Sequence, residues 1–250
     1  MTGPAAPFPL AFSMAFQPIV DLETGMIAGH EALVRGSSGE LAHTILGALS
    51  ATDRPVFDHA SRVKAIALAA TLGLATRLSI NINAGAIADP DASLDATLAA
   101  CMAHGITPDR LTFELVEDGR VFDRGFMQAL IGAHRRHGIR TALDNFGAGF
   151  AGLGHLFDLC PDIVKLDMAL VRGIDRDRQK RERLAAIVEA CRGGFDLSAE
   201  GVESAGEFAV LRDLGVGFAQ GYLIAKPAFE RLVAEAELPD LAAPAAAEAA

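Results

Sequence analysis

Two stretches, Arg110-Leu111-Thr112-Phe113-Glu114-Leu115-Val116 and Ile139-Arg140-Thr141-Ala142-Leu143-Asp144, flank a helical pattern over residues 122–137 that is closed by Gly138. A glycine just past a helix end suits a left-handed C-cap. The unit therefore reads strand, helix, glycine, strand. Outward from it the same order recurs. Short apolar runs lie at Ser13–Ile19, Met26–Arg35, Arg77–Asn83, Asp162–Asp167, Asp196–Glu200 and Val216–Tyr222, with helical stretches near residues 55–75, 92–104, 177–194 and 204–214. Gly105 and Gly215 take the same place past helix ends, and Pro55 and Pro90 lie near helix starts. Eight runs that mostly alternate with helices predict an α/β fold, a (β/α)8 TIM-like barrel. The first two runs are joined only by Asp21–Gly25. A parallel connection needs about a dozen residues, so the barrel is expected to be modified by an antiparallel strand near its start. Residues 1–9 read as a Pro-rich tail, 10–238 as the barrel domain and 239–250 as an Ala-rich tail.

The composition narrows the function classes. The chain has 250 residues and a net charge of −10, with a single Tyr and no Trp. An acidic chain lacks the basic surface that DNA requires, and one poor in aromatics lacks a platform for stacking bases. A phosphate ligand would need local neutralisation, for which a metal ion is the obvious candidate. Lysine is scarce: only Lys64, Lys165, Lys180 and Lys226 occur. Cys101, Cys160 and Cys191 are odd in number and form no CxxC pair, which predicts reduced thiols and a cytoplasmic setting. No signal peptide is expected, because no basic residue precedes the first apolar run. Pro4, Pro7, Pro9 and Pro18 argue against a membrane span in the uncharged residues 2–20.

In such a barrel the reactive groups gather where the strands end. The second run carries Glu31 and Arg35, four apart and so on one face. The third ends in Asn81-Ile82-Asn83, the fourth holds Glu114, the fifth ends in Asp144-Asn145, the sixth holds Lys165 and Asp167, the seventh ends in Glu200 before Glu203, and the eighth carries Gln220. Burying several carboxylates unpaired is costly. A ring drawn from so many runs therefore points to a site rather than to solvated strand ends. The donors are carboxylates and an amide, which favours Mg2+ or Mn2+ over zinc. Glu31, Asn81, Glu114 and Asp144 would form one oxygen site, and Asp144, Asn145 and Glu200 would reach a second. Two metals suit in-line attack on a phosphodiester. Lys165 would orient the water or steady developing charge. An enolase-like chemistry, with Lys165 as base, is the competing reading from physics alone. Such enzymes carry a large capping domain, for which this chain has no room.

Taken in order, the runs resemble the EAL domain, the cyclic di-GMP phosphodiesterase family. The resemblance covers roughly residues 13–230 and rests on Gln17-Pro18-Ile19-Val20, Glu31-Ala32-Leu33-Val34-Arg35, Asn81-Ile82-Asn83, Glu114-Leu115-Val116-Glu117, Asp144-Asn145-Phe146-Gly147-Ala148-Gly149-Phe150, Lys165-Leu166-Asp167, Glu200-Gly201-Val202-Glu203, Gln220-Gly221-Tyr222 and Lys226-Pro227. It implies hydrolysis of cyclic di-GMP to linear pGpG with Mg2+ or Mn2+. Glu31, Asn81, Glu114 and Asp144 match metal ligands, with Asn145 and Glu200 on the second-metal side. Lys165 and Glu200 match the residues that handle the catalytic water, and Glu203 one that steadies the loop after the fifth strand. Gln17, Arg35, Asp167, Gln220 and Pro227 are expected on the substrate side. A homodimer and a sensor or regulatory protein partner are implied by the resemblance alone.

Two departures bear on activity. The family usually has two adjacent aspartates where this chain has Asp144-Asn145, so the second metal loses an anionic ligand. Val116 stands where the family often has threonine. The alternative function is therefore a weak or inactive EAL domain that serves as a cyclic di-GMP receptor or binds a partner protein. The segment from Arg35 to Arg62 is short for the family, which implies a trimmed rim. Among the remaining polar residues, His134 and His137 are expected on a solvated helix face beside Arg135 and Arg136. His30 is expected to face away from Glu31, Cys160 is expected to be a small buried hydrophobe, and 175–183 should be an exposed loop and helix start.

Overall fold

The computed structural model describes residues 10–115, 123–147 and 153–241. Strands β1 (Phe12–Asp21) and β2 (Ile27–Gly36) form an antiparallel hairpin, as the short connection predicts. Asp21 closes its turn by accepting the N–H groups of Glu23 and Thr24 at 2.9 and 2.8 Å. From β2 onward the strands are parallel: β3 (Arg77–Ile82), β4 (Leu111–Leu115), β5 (Arg140–Phe146), β6 (Ile163–Leu166), β7 (Asp196–Ala199) and β8 (Phe218–Ala219). β8 pairs antiparallel with β1, which closes the barrel. The inverted β1 is thus flanked on both sides by strands running the other way.

The eighth run is shorter than expected. Residues beyond Ala219 leave β1 because they pair instead with the loop after β7: Val202 N donates to Gln220 O at 3.1 Å and Leu223 N to Val202 O at 3.0 Å. Gly221 permits this approach. A Cβ there would lie 2.1 Å from Val202 O. Pairing with β1 resumes at β9 (Ala228–Phe229), opposite Ala15 and Phe16. The eighth stave is therefore split in two around residues 220–227.

The helices are α1 (Ala42–Gly47), α2 (Asp53–Thr71), α3 (Asp95–His104), α4 (Arg124–Arg136), α5 (Leu153–Leu159), α6 (Met168–Val171), α7 (Arg178–Cys191) and α8 (Ala205–Leu214). The five long ones fall on the predicted stretches. Gly105 and Gly215 are the left-handed C-caps of α3 and α8, at φ 69° and 86°. The short α1, α5 and α6 have too little periodicity to announce themselves. Among the described residues no helix is long and apolar enough to cross a membrane.

Strand alternation sorts the core into two layers. Ile80, Ile82, Phe113, Leu115, Val164, Leu166 and Leu197 face the helices and are buried. The inward positions below the strand ends are small: Ser79, Thr112, Ala142 and Ser198 line a cavity of about 40 Å³ whose wall also includes Glu114 and Lys165. The charged groups are thus confined to the level of Glu114 and Lys165, above a lining of small side chains.

Two expectations are corrected. His134, on the inner face of α4, is fully buried, with its Nδ1 2.9 Å from Thr141 Oγ1 and its ring edge-on to Phe113; burial lowers its pKa to about 3. His137 is exposed as expected. Cys160 is exposed rather than buried, at a positive φ of 49° before Pro161. His30 does face outward, between Thr76 Oγ1 (3.3 Å) and Val233 O (3.2 Å), where the C-terminal segment covers the barrel. Val116, Glu117 and residues 148–150 lie outside the described residues, as does most of each tail.

Candidate active site

Parallel strands in register deliver their inward side chains to one level. Asn81 stands opposite Glu114 between β3 and β4, and Glu114 opposite Ala142 between β4 and β5. Lys165 stands opposite Ser198 between β6 and β7, which sets Glu200, two residues on, above the lysine. Gln17 on β1 faces Glu31 on β2.

The groups converge on Lys165. Its Nζ lies 2.5 Å from Glu114 Oε2 and 2.7 Å from Glu200 Oε1, with Glu31 Oε2 at 3.5 Å and Asp144 Oδ1 at 3.7 Å. Lys165, Glu31 and Glu114 are 2%, 5% and 1% exposed, so these are buried charges. Asn81 Nδ2 donates to Glu31 Oε1 at 2.6 Å. Gln220 Nε2 donates to Glu31 Oε2 at 2.8 Å and to Gln17 Oε1 at 2.9 Å, and Gln17 Nε2 donates to Ala225 O at 2.9 Å. Among the described residues Gln220 Oε1 is buried with no hydrogen-bond partner.

Four carboxylates surround one ammonium, and their protonation reflects the imbalance. Burial, the Glu31 charge and Asp144 together push Glu114 well above the usual carboxylate range, against the pull of Lys165. Burial raises Asp144, and it pushes Glu200 up to about 7. Glu31 moves the other way: burial would raise it, but Lys165, Gln220 and Asn81 stabilise its anion more. Lys165 is raised well above its ordinary value because Glu114, Glu31, Glu200 and Asp144 outweigh its burial.

This donor set fits a divalent cation. It is all oxygen, it is in negative excess, and Asn81 has its NH2 committed to Glu31, leaving its carbonyl as the atom it can offer. Among the described residues no group of His, Cys, Asp and Glu is gathered as a coordination shell. The carboxylates are drawn to the ammonium at their centre instead.

Asn145 stands at the rim, exposed, at a positive φ of 58° in the irregularity where β5 pairs with β6. Its Nδ2 donates to Asp144 Oδ2 at 3.0 Å and its N–H to Asp144 Oδ1 at 3.0 Å. Two residues on, Gly147 is at φ 100°, and a Cβ there would meet Leu170 Cδ1 at 2.4 Å.

Other predicted residues lie outside the ring. Arg35 is half-buried and its Nη1 donates to its neighbour Val34 O at 2.8 Å. Asp167 caps α6, accepting Ala169 N at 2.7 Å. Pro227 is half-buried just before β9. Glu203 is exposed and pairs with Arg172; its N–H donates to Glu207 Oε2 at 2.8 Å. Sequence reasoning missed Glu207, which caps α8 with Ser204 and accepts Gly173 N at 2.7 Å. It also missed the buried pair of Asp58 and Arg62 behind β3, whose only sequence signal is opposite charge at i and i+4.

The EAL domain model matches residues 10–227. The chain is 28% identical to the cyclic di-GMP phosphodiesterase PA2567 of Pseudomonas aeruginosa, over 86% of this chain and 38% of that protein. It is 29% identical to the blue light- and temperature-regulated antirepressor BluF of Escherichia coli, over 85% of this chain and 53% of that one. The chain thus spans between about a third and a half of the length of these curated relatives. Among solved structures, a standalone versatile EAL protein from Vibrio cholerae O395, in its c-di-GMP-bound form, superposes with a TM-score of 0.89 at 38% identity, covering 94% of this chain and 99% of that one. The Klebsiella pneumoniae BlrP1 calcium/cyclic di-GMP complex superposes with a TM-score of 0.81 at 32% identity, covering 93% of this chain and 59% of that one.

Proposed function

The chain belongs to the EAL domain family, and from that premise we propose that it is a divalent-metal-dependent phosphodiesterase that opens cyclic di-GMP to linear pGpG. The observation that carries this reading is the convergence of Glu31, Glu114, Asp144 and Glu200 on Lys165 at the strand ends. Glu31, Asn81, Glu114 and Asp144 would hold one Mg2+ or Mn2+, with Asn145 and Glu200 toward a second. A bound cation supplies charge neutralisation for the phosphate and a more acidic water.

The reaction adds a water oxygen to phosphorus, breaks one P–O bond to ribose and returns a proton to the departing oxygen. Glu200, titrating near neutrality and within hydrogen-bond reach of Lys165, is suited to take a proton from the attacking water. Lys165 stays charged, orients that water and opposes charge developing on the phosphoryl oxygens. Gln220 holds Glu31 by a hydrogen bond and is itself held by Gln17, which accepts from the same amide. Arg35, at the rim, would turn from Val34 O to a ligand phosphate. Asp167 and Pro227 would border the bound dinucleotide, and Glu203 would steady the loop after β5. The reading includes a cytoplasmic homodimer and a sensory or regulatory protein partner.

Asn145 supports a second reading, a cyclic di-GMP receptor with little turnover. Its amide donates to Asp144 where an aspartate would add negative charge. Incubation with cyclic di-GMP and Mg2+ or Mn2+, followed by chromatography, separates the two. Metal-dependent pGpG that is lost in Lys165→Ala supports the enzyme. Binding in Ca2+ without product in Mg2+ or Mn2+ supports the receptor. Neither binding nor product would defeat both readings.

A further inference from the structure

Asp58 and Arg62 on α2 are 8% and 4% exposed, yet nothing in the proposed reaction uses them. Arg62 Nη2 lies 3.2 Å from Asp58 Oδ2, one helical turn away. Asp58 Oδ1 accepts the backbone N–H of Asn83 at 2.9 Å. Asn83 stands two residues beyond Asn81, where β3 turns into a 3-10 segment capped by its own side chain. The pairing of β3 with β2 ends at Ala32 opposite Ile80. Above that level β3 is laddered only to β4, through Asn81 opposite Glu114 and Ile82 opposite Leu115. Asp58 anchors the same turn from behind. Arg62 Nη1 donates to Ser93 O at 3.0 Å, which ties down the far end of the excursion that starts at Asn83. Its guanidinium also lies 5.9 Å from the ring centroid of Phe113, the residue before Glu114.

Stability is a weak reason for such a pair, because apolar replacements of buried ion pairs are often neutral or stabilising. What the pair does here is contact the chain neighbours of two ring members at once. We infer that Asp58 and Arg62 are positioning residues: they fix the Asn83 turn, and through it the side chain of Asn81, in the arrangement a divalent cation needs. The inference rests on Asn81 being a metal ligand, as proposed above. Groups one step removed from a metal commonly change its affinity by about 10–100-fold.

The test is Mn2+ affinity of the full chain, read by electron paramagnetic resonance, beside pGpG turnover and thermal melting. The double variant Asp58→Leu/Arg62→Leu removes the tether without orphaning a charge. Asp58→Asn/Arg62→Leu restores an acceptor for Asn83 N–H; Asn83→Pro deletes that N–H while leaving the ion pair, and is compared with Asn83→Ala, which loses only the side-chain cap that the proline also removes. Expected is a cooperative melt for the leucine pair with Mn2+ affinity about 10-fold weaker, mostly recovered when the acceptor returns, and a similar loss in Asn83→Pro. A purely structural role would lower the melting temperature and leave the affinity unmoved. Wild-type affinity in the folded leucine pair, while Asn81→Ala weakens binding, would overturn the inference alone. Wild-type affinity in Asn81→Ala would remove the ligand assignment and the inference with it. If the leucine pair does not fold, Asn83→Pro decides by itself, and unchanged affinity there overturns the proposal.

Discussion

Lys165 Nζ lies 2.7 Å from Glu200 Oε1 because β6 and β7 run in register, with Lys165 opposite Ser198 and Glu200 one strand period further on. The same ammonium is shared with Glu114, Glu31 and Asp144. One residue thus compensates four carboxylates that would otherwise repel each other in a buried site.

Lys165→Ala should therefore do two separable things. Turnover should fall by at least about 100-fold, as expected on losing a group that orients and stabilises the reacting atoms. Metal-free protein should also lose about 3–5 kcal/mol of stability, the usual cost of stripping a partner from buried charges. Added Mn2+ should recover much of that stability and none of the turnover. Chromatography for pGpG and melting curves with and without Mn2+ read the two effects. Full activity in the variant would sink the site assignment.

Asn145→Asp should raise turnover by about 10-fold, through an added anionic ligand near Asp144 and a more acidic bound water. The backbone there, at φ 58°, is one that aspartate also tolerates. The measurement is kcat at saturating Mn2+. No gain would mean that the amide is not what limits the rate.

The pH dependence of stability carries a definite sign. Glu200 has its pKa raised from 4.5 to about 7 in the fold. The stability this contributes is present below the unfolded value and is lost as pH rises through about 7. Glu114 and Asp144 are raised and act in the same direction. Buried His134, held down to about 3, acts oppositely over part of this range, so the whole-protein melting curve mixes both. Comparison with Glu200→Gln cancels the histidine. Metal-free Glu200→Gln should gain on wild type between pH 5 and 8 by about 1 kcal/mol or more, some 2–4 °C. A gap that stays constant or narrows would show that Glu200 is not raised.

Gln220→Leu should weaken ligand and metal binding without unfolding the barrel. It deletes donors to Glu31 and Gln17 and leaves their buried oxygens short of partners, which costs about 1–3 kcal/mol. Titration of cyclic di-GMP in Ca2+ should show a Kd raised about 10-fold. An unchanged Kd, with the expected loss of melting temperature, would confine Gln220 to a structural role.

Much of this was legible in the chain itself. Eight runs alternating with helices predicted a barrel, and Glu31, Asn81, Glu114, Asp144 and Lys165 could be read as a candidate ring from their places in or at the ends of those runs. The few residues between the first two runs excluded a parallel crossover, and the inverted β1 followed from that count. What needed the tertiary structure were the pairings made across long sequence separations. Nothing local distinguishes His134, sealed against Phe113 and Thr141, from His137 three residues on in solvent, because a helix face acquires its environment from what packs on it. The splitting of the eighth stave depends on the contact between Gly221 and Val202, which spacing does not encode. Likewise the sequence offers four carboxylates and one lysine, but only closure of the barrel brings them onto a single ammonium and sets Asp58 behind Asn83.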